Sequence, residues 1–258
     1  MLSKLSNIVG CISIISSIAG ATPLKNHDFH SNSSLELIEF GESGESGWGS
    51  PVFPYFHQSC NATNQRMLSS GLKDTLEVTA VARDKLLANG TDKFFKRWFG
   101  NSSVFTVIGT LEYVIESGKS DVLYRCDDPS GDCAVHSTDW PGYHVTNTTG
   151  ETNICDLFYQ TKKPLSTICF EGDIVELGPK HYSGIDLFHR FLHLDNLNGN
   201  GFISEWTETL PEVLYLAENN ATFAARNTDN YLYYLADVYA ATVNPGGCLG
   251  ELPKAERP

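Results

Sequence analysis

Six cysteines constrain the fold of this chain more than any other feature of its sequence. The seventh, Cys11, lies in an apolar stretch over residues 8–18, which follows Lys4 and precedes an Ala-Gly-Ala tripeptide ending at Ala21. This order is typical of a secretory signal peptide that is cleaved after Ala21. In the oxidising compartment that such a signal implies, an even number of cysteines indicates three disulfides. The six are Cys60, Cys126, Cys133, Cys155, Cys169 and Cys248.

The pairing of these cysteines is left open by the sequence, because six cysteines allow 15 connectivities. As a working hypothesis we pair sequence neighbours, which gives two local disulfides and one long closure. The hypothesis predicts the pairs Cys126–Cys133, Cys155–Cys169 and Cys60–Cys248.

Glycosylation sequons and charge give independent indications of an extracellular protein. Six Asn-x-Ser/Thr sequons predict surface glycans, at Asn32, Asn61, Asn89, Asn101, Asn147 and Asn220. The formal charge of −13 argues against a nucleic-acid partner. The last residues carry no apolar tail, so we expect no membrane anchor. We therefore expect a secreted glycoprotein, extracellular or associated with the cell wall, and the sequence gives no oligomeric state.

The chain divides into four predicted segments. Residues 1–21 form the signal peptide, and residues 22–50 form a flexible arm that is polar and contains a Gly-Glu-Ser repeat. Residues 51–250 form one domain, and residues 251–258 form a C-terminal tail.

Apolar periodicity predicts an α+β fold that is mainly helical. Leu68, Leu72 and Leu76 recur every four residues between Asn61 and Gly90, which predicts a long helix. Further helices are predicted over residues 104–117, over residues 185–193, from Thr209 onwards and over residues 229–243. Short apolar runs separated by turn residues predict strands over residues 122–125, 154–159 and 168–177.

A histidine pair in the predicted helix over residues 185–193 is the strongest functional signal. His189 and His193 are separated by four positions, so both rings project from one face of the helix and can chelate one zinc ion. Asp229, at the start of another apolar helix, is the predicted third ligand. Two alternatives stay open: paired histidines are common without a metal, and Asp229 is also suited to cap its helix.

These residues carry a resemblance to two related families. The His-x-x-x-His helix and the Asn227-Thr-Asp229-Asn-Tyr231 segment resemble the deuterolysin-type zinc endopeptidases. The chain is more closely similar to the fungal pH-regulated antigens, secreted proteins implicated in zinc scavenging, which carry His-Arg-x-x-His as here. The resemblance implies a zincin-like, deuterolysin-like metalloprotease fold with zinc as the cofactor. His181, Asp186 and Tyr231 are candidates for side chains that support the ligands from outside. His181 is also a candidate fourth ligand, although we favour a surface or core histidine. It also implies a cell-surface zinc transporter or host proteins as partners.

Arg190 separates this chain from an ordinary zinc peptidase. It occupies the position of the glutamate that acts as general base in peptidases, and a guanidinium has donors only and stays protonated. Its charge can instead hold an anion or orient Asp186. Glu205 is a conceivable relocated base. We assign no catalytic residue.

Three hypotheses follow. In the first, the protein sequesters extracellular zinc and cleaves peptides weakly or not at all. In the second, it is a deuterolysin-like zinc metalloendopeptidase with altered chemistry. In the third, it is a host- or wall-interacting glycoprotein in which zinc is structural.

Two weaker metal motifs remain. Residues 196–207 imitate the spacing of an EF-hand loop, but asparagines replace the aspartates, so we favour a plain Gly/Asn turn. His136 and His144 lie in a polar segment and are candidates for a weak second site.

Overall fold

The computed structural model describes residues 53–144 and 150–258. The predicted signal peptide, the predicted arm and the sequons at Asn32 and Asn147 lie outside the described residues. The four other sequon asparagines are exposed, namely Asn61, Asn89, Asn101 and Asn220.

Helices dominate the described part of the chain, as the periodicity predicts. The helices are α1 (Ala62–Asn89), α2 (Lys93–Phe99), α3 (Val104–Glu116), α4 (Asp132–Val135), α5 (Asp156–Thr161), α6 (Ile174–Leu177), α7 (Ser183–Leu192), α8 (Leu210–Asn219), α9 (Ala221–Ala224) and α10 (Thr228–Val243). The strands are β1 (Tyr55–Phe56), β2 (Leu123–Arg125), β3 (Gly142–His144) and β4 (Glu151–Ile154). The predicted α+β, mainly helical class is confirmed.

Two predicted strands are wrong. Over residues 154–159 the chain leaves β4 at Ile154 and enters α5, because Asp156 provides a carboxylate in the first helical turn. Over residues 168–177 the backbone of Cys169 has a φ of 67°, a left-handed conformation that interrupts any strand, and α6 follows. Helix α2 was missed, although Asp92 caps it by accepting hydrogen bonds from two backbone amides.

The four strands form one mixed sheet in the order β1-β2-β4-β3. Strands β1 and β2, and β2 and β4, are parallel, whereas β3 and β4 are antiparallel. The edge strand β3 ends at His144, whose ring lies 5.3 Å from the ring of His193 after α7. The sheet therefore brings a third histidine beside the predicted pair.

Three disulfides are present, as predicted, but the predicted pairing is wrong. The observed pairs are Cys60–Cys126, Cys133–Cys155 and Cys169–Cys248. Parallel pairing explains the first, because β1 lies beside β2 and brings Cys60 to 4.8 Å from Cys126 between Cα atoms. Contacts between distant segments, rather than closeness in sequence, thus select the partners.

Helix α10 runs through the core, and every side chain from Thr228 to Ala240 is buried. Its aromatic residues pack on α2, with the ring of Tyr231 5.0 Å from that of Phe99. Asp237 anchors the two helices, because it accepts a 2.9 Å hydrogen bond from the indole of Trp98 and pairs with Arg97. This anchoring places the first turn of α10, with Asp229, beside α7.

Helix α7 packs against α1 with almost no space between the two backbones. A Cβ added at Gly184 would lie 2.8 Å from the carbonyl carbon of Asp74, and the hydroxyl of Thr75 donates a 2.7 Å hydrogen bond to the Gly184 carbonyl. The absence of a side chain at Gly184 therefore sets the depth and orientation of α7.

The last residues of the chain lie against the domain. Leu252 and Ala255 pack on the core, and the amide of Glu256 donates a hydrogen bond to the Pro211 carbonyl at 3.0 Å. In the part of the chain that the structure describes, no helix combines the length and the apolar character needed to cross a membrane.

This packing predicts opposite effects for two glycine-to-alanine changes. Gly184→Ala should lower the free energy of unfolding by about 1–3 kcal/mol, because the added methyl group overlaps the α1 backbone. Gly109→Ala in α3 is the matched control, since a Cβ there meets nothing within 4 Å, and it should stabilise by about 0.5–1 kcal/mol. Urea denaturation of both variants checks the prediction. Equal effects would mean that the α1–α7 contact does not limit the fold.

Candidate metal centre

The two predicted histidines converge at the end of α7. The helix buries almost all of its other side chains, and both histidines line a cleft together with Asp186 and Arg190. His189 lies in the last turn and His193 is the residue that follows the helix. Their Nε2 atoms are 2.8 Å apart. The spacing prediction, that both rings project together from one face, is confirmed.

Glu205 is the carboxylate that contacts these histidines. Its Oε1 lies 3.0 Å from Nε2 of His189, and its Oε2 lies 3.7 Å from Nε2 of His193. Single ligand atoms of His189, His193 and Glu205 all fall within 4.8 Å of one another. Among the described residues this is the one group of histidine, cysteine and acidic side chains close enough to hold a metal ion.

A bridge to α10 places Glu205. Ser204 pairs with Asn227 in an isolated parallel bridge, and Oδ1 of Asn227 accepts a 2.8 Å hydrogen bond from the amide of Trp206. Glu205 is therefore fixed on both sides although it lies in a loop. From the sequence alone, Glu205 is only a candidate relocated base. No spacing rule predicts that a loop residue contacts histidines 12 or more positions earlier in the chain.

Asp229, the predicted third ligand, lies outside this group of three and faces a lysine. Its side chain is buried, with Oδ1 3.3 Å from Nζ of Lys180, while Oδ2 has no hydrogen-bond partner among the described residues. Burial raises the pKa of Asp229 to about 7, with the charge of Glu205 adding to the effect and Lys180 opposing it. Metal ligation by Asp229 stays a prediction.

The ionisation of the cluster suits a cation. Burial lowers the pKa of His189, and burial followed by the nearby charge of His189 lowers the pKa of His193 to about 4. Burial alone would raise the pKa of Glu205, but the hydrogen bond with His189 and the adjacent positive charges lower it. Near neutral pH the site thus holds two neutral imidazoles and a carboxylate, which are the ligating forms.

Arg190 is held in a buried ion pair behind the histidines. Its Nε donates a 2.9 Å hydrogen bond to Asp186, whose other oxygen lies 2.9 Å from Nζ of Lys162. Burial would raise the pKa of Asp186, but Arg190 and Lys162 outweigh it and keep the pKa low. Strand β3 leaves room for the guanidinium, because a Cβ at Gly142 would lie 2.6 Å from Nη1 of Arg190. Arg190 therefore orients Asp186, one of the two roles that the sequence suggests.

The other predicted side chains lie apart from the three converging ligands. His181 hydrogen-bonds with Glu171 at 2.8 Å. Tyr231 donates its hydroxyl to the Ala225 carbonyl at 2.7 Å, in the core. Among the described residues, neither side chain hydrogen-bonds with His189, His193 or Glu205.

His144 and His136 also have separate surroundings. His144 lines the cleft, and its two ring nitrogens face the carbonyls of Glu151 and Arg190 at 3.1 and 3.4 Å. His136 instead stacks on Trp140 at 3.7 Å between ring centroids. In the EF-hand-like segment the side chain of Asn198 accepts from the Gly201 amide at 2.7 Å, which is a hydrogen bond within a turn.

An open cleft of about 570 Å³ surrounds the site. One wall is β3 with the segment before it, and the other is α7 with the loop that carries Glu205. The residues that line it are predominantly polar: Asp139, Trp140, Pro141, Gly142, Tyr143, His144, Lys162, Lys180, Asp186, His189, Arg190, His193, Glu205 and Glu208.

Residues 6–251 match the family described as "HRXXH: Putative peptidase family". The chain belongs to this family. The letters of the family name correspond to His189, Arg190 and His193, so an arginine after the first histidine is a family feature.

The relatives are fungal proteins, as the resemblance implies. The chain is 51% identical to Protein ZPS1 of Saccharomyces cerevisiae over 92% of this chain and 95% of that protein. It is 38% identical to pH-regulated antigen PRA1 of Candida albicans over 75% of this chain and 66% of that protein. It is 32% identical to Major allergen Asp f 2 of Aspergillus fumigatus over 77% of this chain and 64% of that protein.

A solved structure supports the predicted fold. A zinc peptidase from Grifola frondosa superimposes with a TM-score of 0.52 and 16% identity, covering 69% of this chain and 97% of that chain. The zincin-like fold is thereby confirmed. At this identity the likeness concerns the fold alone.

The environment of His144 predicts a pH dependence of stability. Burial, followed by the charge of His193, lowers its pKa from 6.5 to about 4, so the folded protein excludes a proton that the unfolded chain binds. The free energy of unfolding therefore decreases progressively as the pH falls from 6.5 to 4, because only the unfolded chain binds this proton. His144→Gln removes this loss, so the melting temperature of the variant relative to wild type should rise as the pH falls through that window. A difference that is the same at pH 7.5 and pH 5 would contradict the assignment.

Proposed function

We propose that this protein is a secreted zinc-binding protein that sequesters extracellular zinc and cleaves peptides weakly or not at all. Zinc would be held by His189, His193 and a carboxylate, with Glu205 the nearest one. Two histidines with one carboxylate are a recurrent zinc ligand set that leaves a fourth position open.

The number of hydrogen bonds that Nε2 of His189 can make supports a metal ion at this site. Nε2 of this ring approaches both Glu205 Oε1 at 3.0 Å and His193 Nε2 at 2.8 Å. A neutral imidazole has at most one hydrogen on that atom, so it cannot donate to both partners. A cation among the three atoms satisfies all of them at once, whereas protons cannot.

The unpartnered oxygen of Asp229 also fits a metal. Burying a carboxylate oxygen without a hydrogen-bond donor lowers the free energy of unfolding. In native proteins such an oxygen usually binds a water molecule or an ion. Asp229 shares the Lys180 ammonium with Glu205, and it is the third ligand that the family resemblance implies.

The residues around the ligands favour holding a metal over hydrolysing a peptide. Bound zinc would supply a Lewis acid. Hydrolysis also needs a base that accepts a proton, and Arg190 at that position of the helix has no acceptor. Arg190 and Lys162 instead form ion pairs with Asp186, and all three residues line the cleft beside the histidines. Loss of a general base typically lowers a rate by about 10²–10⁴-fold.

Secretion and delivery complete the proposal. The signal-like N-terminus, the three disulfides and the exposed sequon asparagines support an extracellular or cell-wall location. Captured zinc would pass to a cell-surface zinc transporter of the producing cell, with host proteins as further partners.

A zinc metallopeptidase is the second candidate, and the family description with the peptidase fold favours it. A carboxylate beside the histidines, Glu205 or Asp229, would then have to accept the proton. A structural zinc in a host- or wall-binding glycoprotein is the third, and it requires that chelation unfold the protein.

Zinc titration of the purified chain tests the first candidate. Calorimetry should give one tight site, and His189→Ala should weaken it by about 100-fold or more, since even groups that only orient zinc ligands are worth about 10- to 100-fold. His181→Ala is the matched control, because His181 pairs with Glu171 outside the cluster. No zinc affinity in the wild type would remove the proposal.

The same titration assigns the carboxylate. Glu205→Gln should weaken zinc binding about as much as His189→Ala, because Glu205 is the carboxylate in contact with both rings. Asp229→Asn tests the sequence-based prediction. A large loss with Asp229→Asn and none with Glu205→Gln would exchange their roles.

A cleavage assay separates the first two candidates. Zinc-loaded wild type should cleave a broad peptide library no faster than His189→Ala. The double variant Arg190→Glu, Asp186→Asn restores a base and avoids two adjacent carboxylates, and it should gain chelator-sensitive cleavage of about 10²-fold or more over wild type. Wild-type cleavage that chelators and His189→Ala abolish would establish the peptidase instead.

A further inference from the structure

Lys180 lies among the carboxylates that a metal would use. It belongs to the 3₁₀ turn Pro179–His181 just before α7, and its Nζ faces acids from two separate segments. The distances are 3.3 Å to Asp229 Oδ1, 3.5 Å to Glu205 Oε1 and 3.6 Å to Glu208 Oε2. Asp229 is the buried member of this group, and the Lys180 ammonium is its positive partner.

The contact with Glu205 is shared with the histidine cluster. The same oxygen, Oε1, approaches Lys180 Nζ at 3.5 Å and His189 Nε2 at 3.0 Å. A divalent cation on His189, His193 and Glu205 would therefore share this oxygen with a like charge. Two cations on one carboxylate oxygen in a half-buried cleft repel each other strongly.

The Lys180 ammonium can move into solvent, and Asp229 would then need another positive partner. The Lys180 side chain keeps 30% of its surface exposed, whereas the side chain of Asp229 keeps 1%. A flexible lysine stem can swing its ammonium into water. Its departure would leave both oxygens of Asp229 without a donor, beside Glu205.

We propose that Lys180 is a built-in competing cation, which occupies Glu205 and Asp229 in the metal-free protein and is expelled when a divalent metal binds. The inference rests on the proposed function, because it concerns the same site. Expulsion of Lys180 frees Asp229 to join the ligands. The lysine also lowers the affinity of the site and thereby eases metal release, which suits a carrier more than a permanent metal brace.

Lys180→Met tests the competition, since methionine keeps most of the apolar stem without the charge. Zinc affinity should rise by at least about tenfold over wild type, because the like charge beside the metal is gone. Lys163→Met is the matched control: it removes one lysine charge at the neighbouring Glu171 pair, outside the cleft, and should leave the affinity near wild type. Unchanged binding by Lys180→Met would overturn the proposal. Weaker binding would also overturn it and would indicate that Lys180 positions Glu205.

A second measurement needs no variant. Acetylation of lysines, followed by mass spectrometry, reports how accessible each ammonium is. Zinc should speed the acetylation of Lys180 severalfold and leave Lys163 unchanged, whereas equal or slower acetylation of Lys180 would contradict expulsion. If the wild type binds zinc but neither the affinity nor the acetylation changes as described, the competition proposal is wrong and the proposed function is unaffected. If neither wild type nor Lys180→Met binds zinc, both the competition proposal and the proposed function are wrong.

Discussion

The packing of α7 between α1 and α10 is the constraint on which the rest of the site depends. Gly184 lets the backbone of α7 approach that of α1, and the buried residues of α7 leave its histidine edge facing the cleft. Helix α10 lies against the same helix and fixes Asn227 and Asp229 at its start. Through the Ser204–Asn227 bridge it also fixes Glu205. Each ligand position is thus a consequence of how three helices pack.

Charge is arranged in two layers around the histidines. Behind them, Asp186 is neutralised by Arg190 and Lys162, which leaves that wall without a spare acceptor. In front of them, Glu205, Glu208 and Asp229 share the single ammonium of Lys180. The first layer places no free proton acceptor at position 190, and the second gives an acidic pocket whose resident cation can leave. The two layers together describe a site suited to taking up a divalent ion.

The sequence predicted the parts of the site that depend on local periodicity. His189 and His193 share one helix face because an α-helix repeats every 3.6 residues, and Asp229 starts the apolar helix that the pattern indicated. The sequence suggested Glu205 only as a relocated base and did not indicate Lys162 or Lys180, because their positions depend on a β-bridge and on turns between distant segments. The predicted disulfide pairing is wrong for the same reason, because parallel strands bring Cys60 beside Cys126. Long-range pairing leaves no periodic trace in a single sequence.

Zinc-soaked crystals of the mature chain, with anomalous scattering recorded at the zinc edge, would locate the metal itself. We expect one strong peak bonded to Nε2 of His189, Nε2 of His193 and an oxygen of Glu205 or Asp229, with the Lys180 ammonium turned toward solvent. A strong peak elsewhere on the chain, with His189 and His193 unliganded, would contradict it.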